Sequence, residues 1–166
     1  MIDPPPNSAE WMDDPTLSVD DLRATMTDQS LLHRWLGGHG AVLGKVRRFQ
    51  SRHPGPVRIL ELACGAGDLL QEVGKAVSDA SGPTHRLGMD RSLPVLRVAR
   101  EMHPGPDYVI GDLLAPPFPD RSFDLVLLPH ALHHLDRDDA VMALREAARV
   151  TRGMLLVLDL VPSRLA

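Results

Sequence analysis

The amino-acid sequence predicts an α/β fold: a doubly wound, mostly parallel sheet preceded by an N-terminal helical extension. Three observations predict it. From Val57 onward, short apolar runs alternate with amphipathic segments, the pattern of strands joined by right-handed helical crossovers. The run "FDLVLLP" (123–129) is almost wholly apolar, as a strand covered on both faces must be. The chain has 166 residues, 43% of them hydrophobic, enough for one core and too few for two.

The elements follow in order. Residues 1–15 hold four prolines and several acids and read as a disordered leader. Residues 16–54 read as a helical lid. Ser18 followed by Asp21 resembles an N-terminal cap, and Leu22, Met26, Leu32 and Leu36 recur at helical spacing up to the glycine pair 37–38. A second helix places Val42, Val46 and Phe49 on one face, with Arg47, Arg48 and Arg52 spreading outward, and "HPGP" (53–56) ends it. The core spans 55–166. "VRILELA" (57–63) is its first strand and "DLLQEVGKAVSDA" (68–80) its first helix. "THRLGMD" (84–90) is the second strand, followed by the helix "SLPVLRVAREM" (92–102), with Ser92 as cap and Pro94 in the first turn. "DYVIGD" (107–112) and "FDLVLLP" are the third and fourth strands. A helix over 138–151 carries apolar residues at 141, 144, 147/148 and 150, and "GMLLVLDLV" (153–161) is the fifth strand.

Composition excludes several functions. Eighteen basic residues against 22 acidic ones give a net charge of −4, and aromatics are 4%. Both argue against a protein built to grip a phosphate backbone or stack on bases. Cys64 is the single cysteine, so no intrachain disulfide forms. The N-terminus lacks a basic head and an apolar stretch, and no apolar run approaches the ~20 residues of a membrane span. The expectation is a cytoplasmic protein with no nucleic-acid partner.

The stretch "ELACGAGDLL" (61–70) forms a strand-to-helix turn, where open α/β sheets hold ligands. Two phosphate-binding loops fail by spacing. Gly74-Lys75 is followed by Ala76 and has Leu69 at the first glycine position, which breaks the Gly-x-x-x-x-Gly-Lys-Ser/Thr pattern. Counting from Gly65, the third glycine of a dinucleotide fingerprint would fall on Leu70, too large for close helix–strand packing. An acid at Glu61 would also repel a pyrophosphate. It suits a ligand that is cationic there, and S-adenosylmethionine carries a sulfonium, an ammonium and no phosphate.

At this point the chain resembles the Rossmann-like S-adenosylmethionine-dependent methyltransferases, whose first motif runs acid-x-Gly-x-Gly-x-Gly. "ELACGAG" matches it, with Ala63 in place of the first glycine; alanine still lets a backbone pass close and costs something only if the position needs a positive φ. The resemblance implies more contacts. Asp90, 29 residues after Glu61, would accept from the ribose hydroxyls, and Arg91 would flank the adenine. Asp112 would accept from the adenine amino group, and Leu113 would offer its backbone N–H. Ala63, Cys64, Gly65 and Gly67 of the loop, with Pro129 at the end of the fourth strand, complete the implied cofactor set. "FPDRSFDLV" (118–126) is similar to the lead-in found in small-molecule members, including those of quinone biosynthesis. Asp90 or Asp112 alone would be an ordinary solvated strand end; in register with Glu61 and both glycines, the binding reading is favoured.

The resemblance implies in-line methyl transfer to a small lipophilic, hydroxylated acceptor, with the protein aligning the two and excluding water. A base would serve an oxygen nucleophile, and "PHALHHLDRDD" (129–139) supplies His134 and His130 as candidates. The alternative is that His133 and His134 cap the next helix or pack beneath it. No metal site is expected, because adjacent histidines on one short segment usually cannot both ligate one ion. Trp35 and Met26 of the helical lid would line the acceptor side.

One departure stands out. The family's sheet has seven strands, and here the sequence ends soon after the fifth, leaving "MLLVLDLV" as an apolar edge. A shortened relative, a fragment, a homodimer or a partner covering that edge would each account for it. The alternative function is a non-catalytic subunit that binds S-adenosylmethionine or a partner; a nucleotide-binding oxidoreductase is disfavoured by Leu70.

Overall fold

The computed structural model describes residues 18–35, 38–81 and 84–159. The leader expected over 1–15 and the end of the fifth strand, 160–161, lie outside the described residues. So do the side chains of residues 32–35, Trp35 among them.

Two helices, α1 (Val19–Trp35) and α2 (Gly38–Arg52), precede the sheet. The strands are β1 (Arg58–Leu62), β2 (His85–Asp90), β3 (Asp107–Ile110), β4 (Phe123–Pro129) and β5 (Thr151–Leu158), joined through α3 (Asp68–Ser81), α4 (Leu93–Met102) and α5 (Arg137–Val150). All neighbours pair in parallel, in the order β3-β2-β1-β4-β5. This is the doubly wound α/β sheet that the sequence predicts. Among the described residues no helix is long and apolar enough to cross a membrane.

Local chemistry sets the helix starts. Ser18 Oγ accepts from the Asp21 N–H at 3.1 Å and donates to its carboxylate at 2.6 Å, the cap read from the sequence. Ser92 caps α4, with Pro94 in the first turn. The cap of α5 is Asp136, which accepts from the Asp139 N–H at 2.9 Å and starts the helix one residue earlier than its apolar spacing indicates.

Burial follows the strand alternation. Leu125 and Leu127 pack with Val42, Val46, Ile59, Leu69, Leu70 and Val73 under α2 and α3. Val126 and Leu128 pack with Leu60, Leu62, Met89, Ala147 and Val150 under α5. β4 is thus enclosed on both faces, as its continuous apolar run requires. Leu70, the residue that broke the dinucleotide fingerprint, is wholly buried between α3 and the sheet.

β5 begins at Thr151, two residues before the expected Gly153, directly after the last helical residue. Thr151 already pairs with Phe123, a register shift follows before Leu125, and a Cβ on Gly153 there would lie 2.5 Å from the Asp124 carbonyl oxygen. β3 stops at Ile110, two residues short, because Asp112 closes a turn onto the Leu114 N–H at 2.8 Å. Met26 is also not as expected. At 1% exposure it belongs to a separate cluster with Leu22, Val95 and Val98 and offers no surface to an acceptor.

Candidate active site

β1, β2 and β3 lie side by side, so the residues after their carboxyl ends form one rim. At the centre, the chain leaves β1 through Ala63, Cys64, Gly65, Ala66 and Gly67 before α3 begins at Asp68. Its tight path shows in three positive φ angles: 51° at Ala63, 49° at Gly65 and 75° at Gly67. These are the three glycine places of the loop pattern, so the first does need a left-handed backbone. Ala63 therefore carries strain of about 1–2 kcal/mol that glycine would not.

The two glycines serve different ends. A Cβ on Gly65 would meet nothing within 4 Å, so this side of the loop is open for a ligand. A Cβ on Gly67 would lie 2.9 Å from the Tyr108 hydroxyl oxygen, so that glycine lets the loop close on β3. Cys64 is buried against Leu96, Ala99 and Tyr108, and its N–H donates to the Met89 carbonyl at 2.9 Å. Burial pushes its thiol pKa up, with the Glu61 and Asp90 charges adding to the rise.

Two of the acids are tied to this loop. Asp90 Oδ2 accepts from the Gly65 N–H at 3.1 Å, and Oδ1 accepts from the Ser92 N–H at 3.0 Å. A carboxylate has about four acceptor positions, so a bidentate contact to a diol stays open to it. Glu61 sits beneath the loop at 1% exposure, where Oε2 accepts from the Leu70 N–H at 2.8 Å in the first turn of α3. Burial raises its pKa well above the usual carboxylate value, against the opposing Leu70 bond, and the Asp68 and Asp90 charges raise it further. A cation placed above the loop would oppose that rise and favour the ionised carboxylate.

The outer rim is more open. Arg91 and Asp112 are exposed, whereas Leu113 is half-buried against the core on the α5 side of the sheet.

On the other flank β4 ends at Pro129, and His130 follows with φ 48° and its N–H on the Leu158 carbonyl at 2.7 Å. A 3₁₀ turn, Leu132–His134, comes next. Asp159, just past β5, holds it: Oδ2 accepts from the Leu132 N–H at 2.7 Å, and Oδ1 lies 2.6 Å from His133 Nδ1. The His133 and His134 rings approach to 3.8 Å between centroids. Asp159 thus gives His133 a carboxylate partner, beside the His134 and His130 that the sequence favoured. A signal for it existed. Parallel pairing of β4 with β5 sets Pro129 opposite Leu158, so an acid after the fifth strand lands beside the turn after the fourth.

The sequence profile of the methyltransferase domain family matches residues 59–153. The chain belongs to that family. A demethylmenaquinone methyltransferase of Thermotoga maritima is 30% identical over 109 residues, covering 64% of this chain and 45% of the relative. A cattle (Bos taurus) protein named "Probable tRNA methyltransferase 9B" is 31% identical over 108 residues, covering 64% of this chain and 21% of the relative. The chain thus spans less than half the length of these curated relatives. In fold it is similar to the crystal structure of the trans-methyltransferase CalH in complex with SAH, with a TM-score of 0.64 at 17% identity over 88% of this chain and 43% of that one. The matched region runs from the first strand to the start of the fifth and so contains the whole glycine loop.

Proposed function

We propose that the chain binds S-adenosylmethionine along the β1–β2–β3 rim and transfers its methyl group to a small, lipophilic, hydroxylated acceptor. One observation carries the reading. The loop that is open at Gly65 stands over the buried Glu61 and is bonded to Asp90, a pair of carboxylate acceptors suited to a cationic amino-acid end and a ribose diol. The bound cofactor would supply an electrophilic methyl group already activated by its sulfonium. In this reading Glu61 favours the positive end electrostatically, and Gly65 admits the backbone contact. Asp90 takes the ribose, Arg91 flanks the adenine, and Asp112 and the Leu113 N–H take its edge. Ala63, Cys64 and Gly67 shape the loop, and Pro129 borders the methyl.

For an acceptor that must lose a proton, His133 joins His134 and His130 as a candidate base. Asp159 would hold the proton on Nδ1 and leave Nε2 to accept one from the acceptor. The name of the bacterial relative supports a quinol-like acceptor, and that of the cattle relative makes RNA the competitor to exclude.

A second reading has its own support. No strand follows β5 among the described residues, and Val157 there is 43% exposed, so the chain could bind cofactor and pair this edge with a second copy or a partner, without turnover. Incubation with labelled S-adenosylmethionine and either phenolic and quinol acceptors or tRNA tests both. Methylation of the small acceptors supports the first reading. Binding without transfer supports the second, and transfer to tRNA alone would overturn the acceptor class.

A further inference from the structure

Directly after the glycine loop, Asp68 opens α3 with both carboxylate oxygens engaged by other elements. Oδ1 lies 2.8 Å from His103 Nε2, at the end of α4. Oδ2 accepts from the Ser30 hydroxyl on α1, 38 residues earlier in the chain. The same helix touches the loop again over the two preceding turns, where Met26 and Leu22 pack with Ala66, the residue between the two glycines, and with Val95 and Val98 of α4. Arg23 of α1 pairs with Glu101 of α4 at the outer edge. His103 is tied to the loop by a second route: its carbonyl accepts from the Tyr108 hydroxyl at 3.3 Å, and that hydroxyl faces Gly67. α1 therefore rests on the cofactor loop, and Asp68 is where helix, loop and the end of α4 meet.

We propose that Asp68 is a positioning residue that couples docking of α1 to the cofactor-bound shape of the glycine loop. It rests on the reading that this loop binds S-adenosylmethionine. The physical basis is directional. The exposed Arg23–Glu101 pair holds α1 only weakly. The single Ser30 proton has the Met26 carbonyl of its own helix as the competing acceptor, so the half-buried bond to the Asp68 carboxylate forms only when the loop delivers Asp68 to one position. A ligand that fixes Gly65 and Gly67 fixes Asp68 and favours the docked helix. By linkage, the docked helix favours the ligand by the same factor.

The test is hydrogen exchange and calorimetry with S-adenosylhomocysteine on the full chain, on Ser30→Ala and on Ser30→Thr. In the wild type the ligand is expected to slow exchange across residues 19–31. Ser30→Ala is expected to lose that slowing and to bind about fivefold more weakly, with exchange in β1 and β4 unchanged. Ser30→Thr, which keeps the hydroxyl, is expected to restore both. A helix that merely packs would show no ligand-dependent exchange and no rescue. Binding with unchanged α1 exchange, or Ser30→Ala behaving as wild type, would overturn the coupling alone. Absence of binding to the wild type would overturn the cofactor reading and the coupling with it.

Discussion

Nδ1 of His133 lies 2.6 Å from Oδ1 of Asp159, across the gap between the turn after β4 and the end of β5. The other Asp159 oxygen holds the Leu132 N–H at 2.7 Å, so one carboxylate fixes both the turn and the ring. His133→Gln is expected to lower kcat by about 100-fold with cofactor affinity unchanged, and Asp159→Asn to lower it less, by loss of ring orientation. Steady-state kinetics beside calorimetry checks this. An unchanged kcat in His133→Gln would return the base role to His134 or His130.

Glu61 makes stability depend on pH. Its folded-state pKa lies well above its unfolded value because burial disfavours the charge. Its favourable contribution is present below the usual carboxylate pKa and is lost as pH rises from there through the raised folded value. Glu61→Gln keeps an acceptor for the Leu70 N–H and removes the ionisation. Its Tm is expected to match or exceed that of the wild type near neutral pH, and the decline with rising pH should flatten while ligand affinity drops. Melting curves across pH read the first effect and calorimetry the second.

Backbone strain in the loop gives opposite expectations at two neighbouring positions. Ala63→Gly relieves a φ of 51° and should raise stability by about 1 kcal/mol after the added chain entropy of glycine. Gly67→Ala adds a side chain at φ 75° against the Tyr108 hydroxyl and should cost about 2 kcal/mol or more. Denaturant midpoints measure both.

Asp90→Ala removes the acceptor of two backbone N–H groups, Gly65 and Ser92, so the loop loses its anchor along with the contact proposed for the ribose diol. Cofactor affinity is expected to fall at least about tenfold, with a stability loss of about 1–3 kcal/mol. An unchanged affinity would place the ribose elsewhere.

The element order, the parallel sheet, the enclosed β4 and the place of the glycine loop were all legible in the sequence, because apolar periodicity and glycine spacing are local signals. The features that were not legible depend on distance. Nothing near Asp68 announces Ser30 or His103, which lie 38 and 35 residues away and meet it only through tertiary packing. The Asp159 partner of His133 was not legible because Asp159 reads as a strand residue until β5 is paired with β4. The sign of φ at Ala63 depends on the turn's path, which an alanine does not disclose.

The most direct test of the central claim is calorimetric titration of the chain with S-adenosylhomocysteine, S-adenosylmethionine and NAD in parallel. Saturable binding of the first two, with none for NAD and with loss in Asp90→Ala, is the predicted result. Binding of NAD alone, or of none of the three, would contradict it.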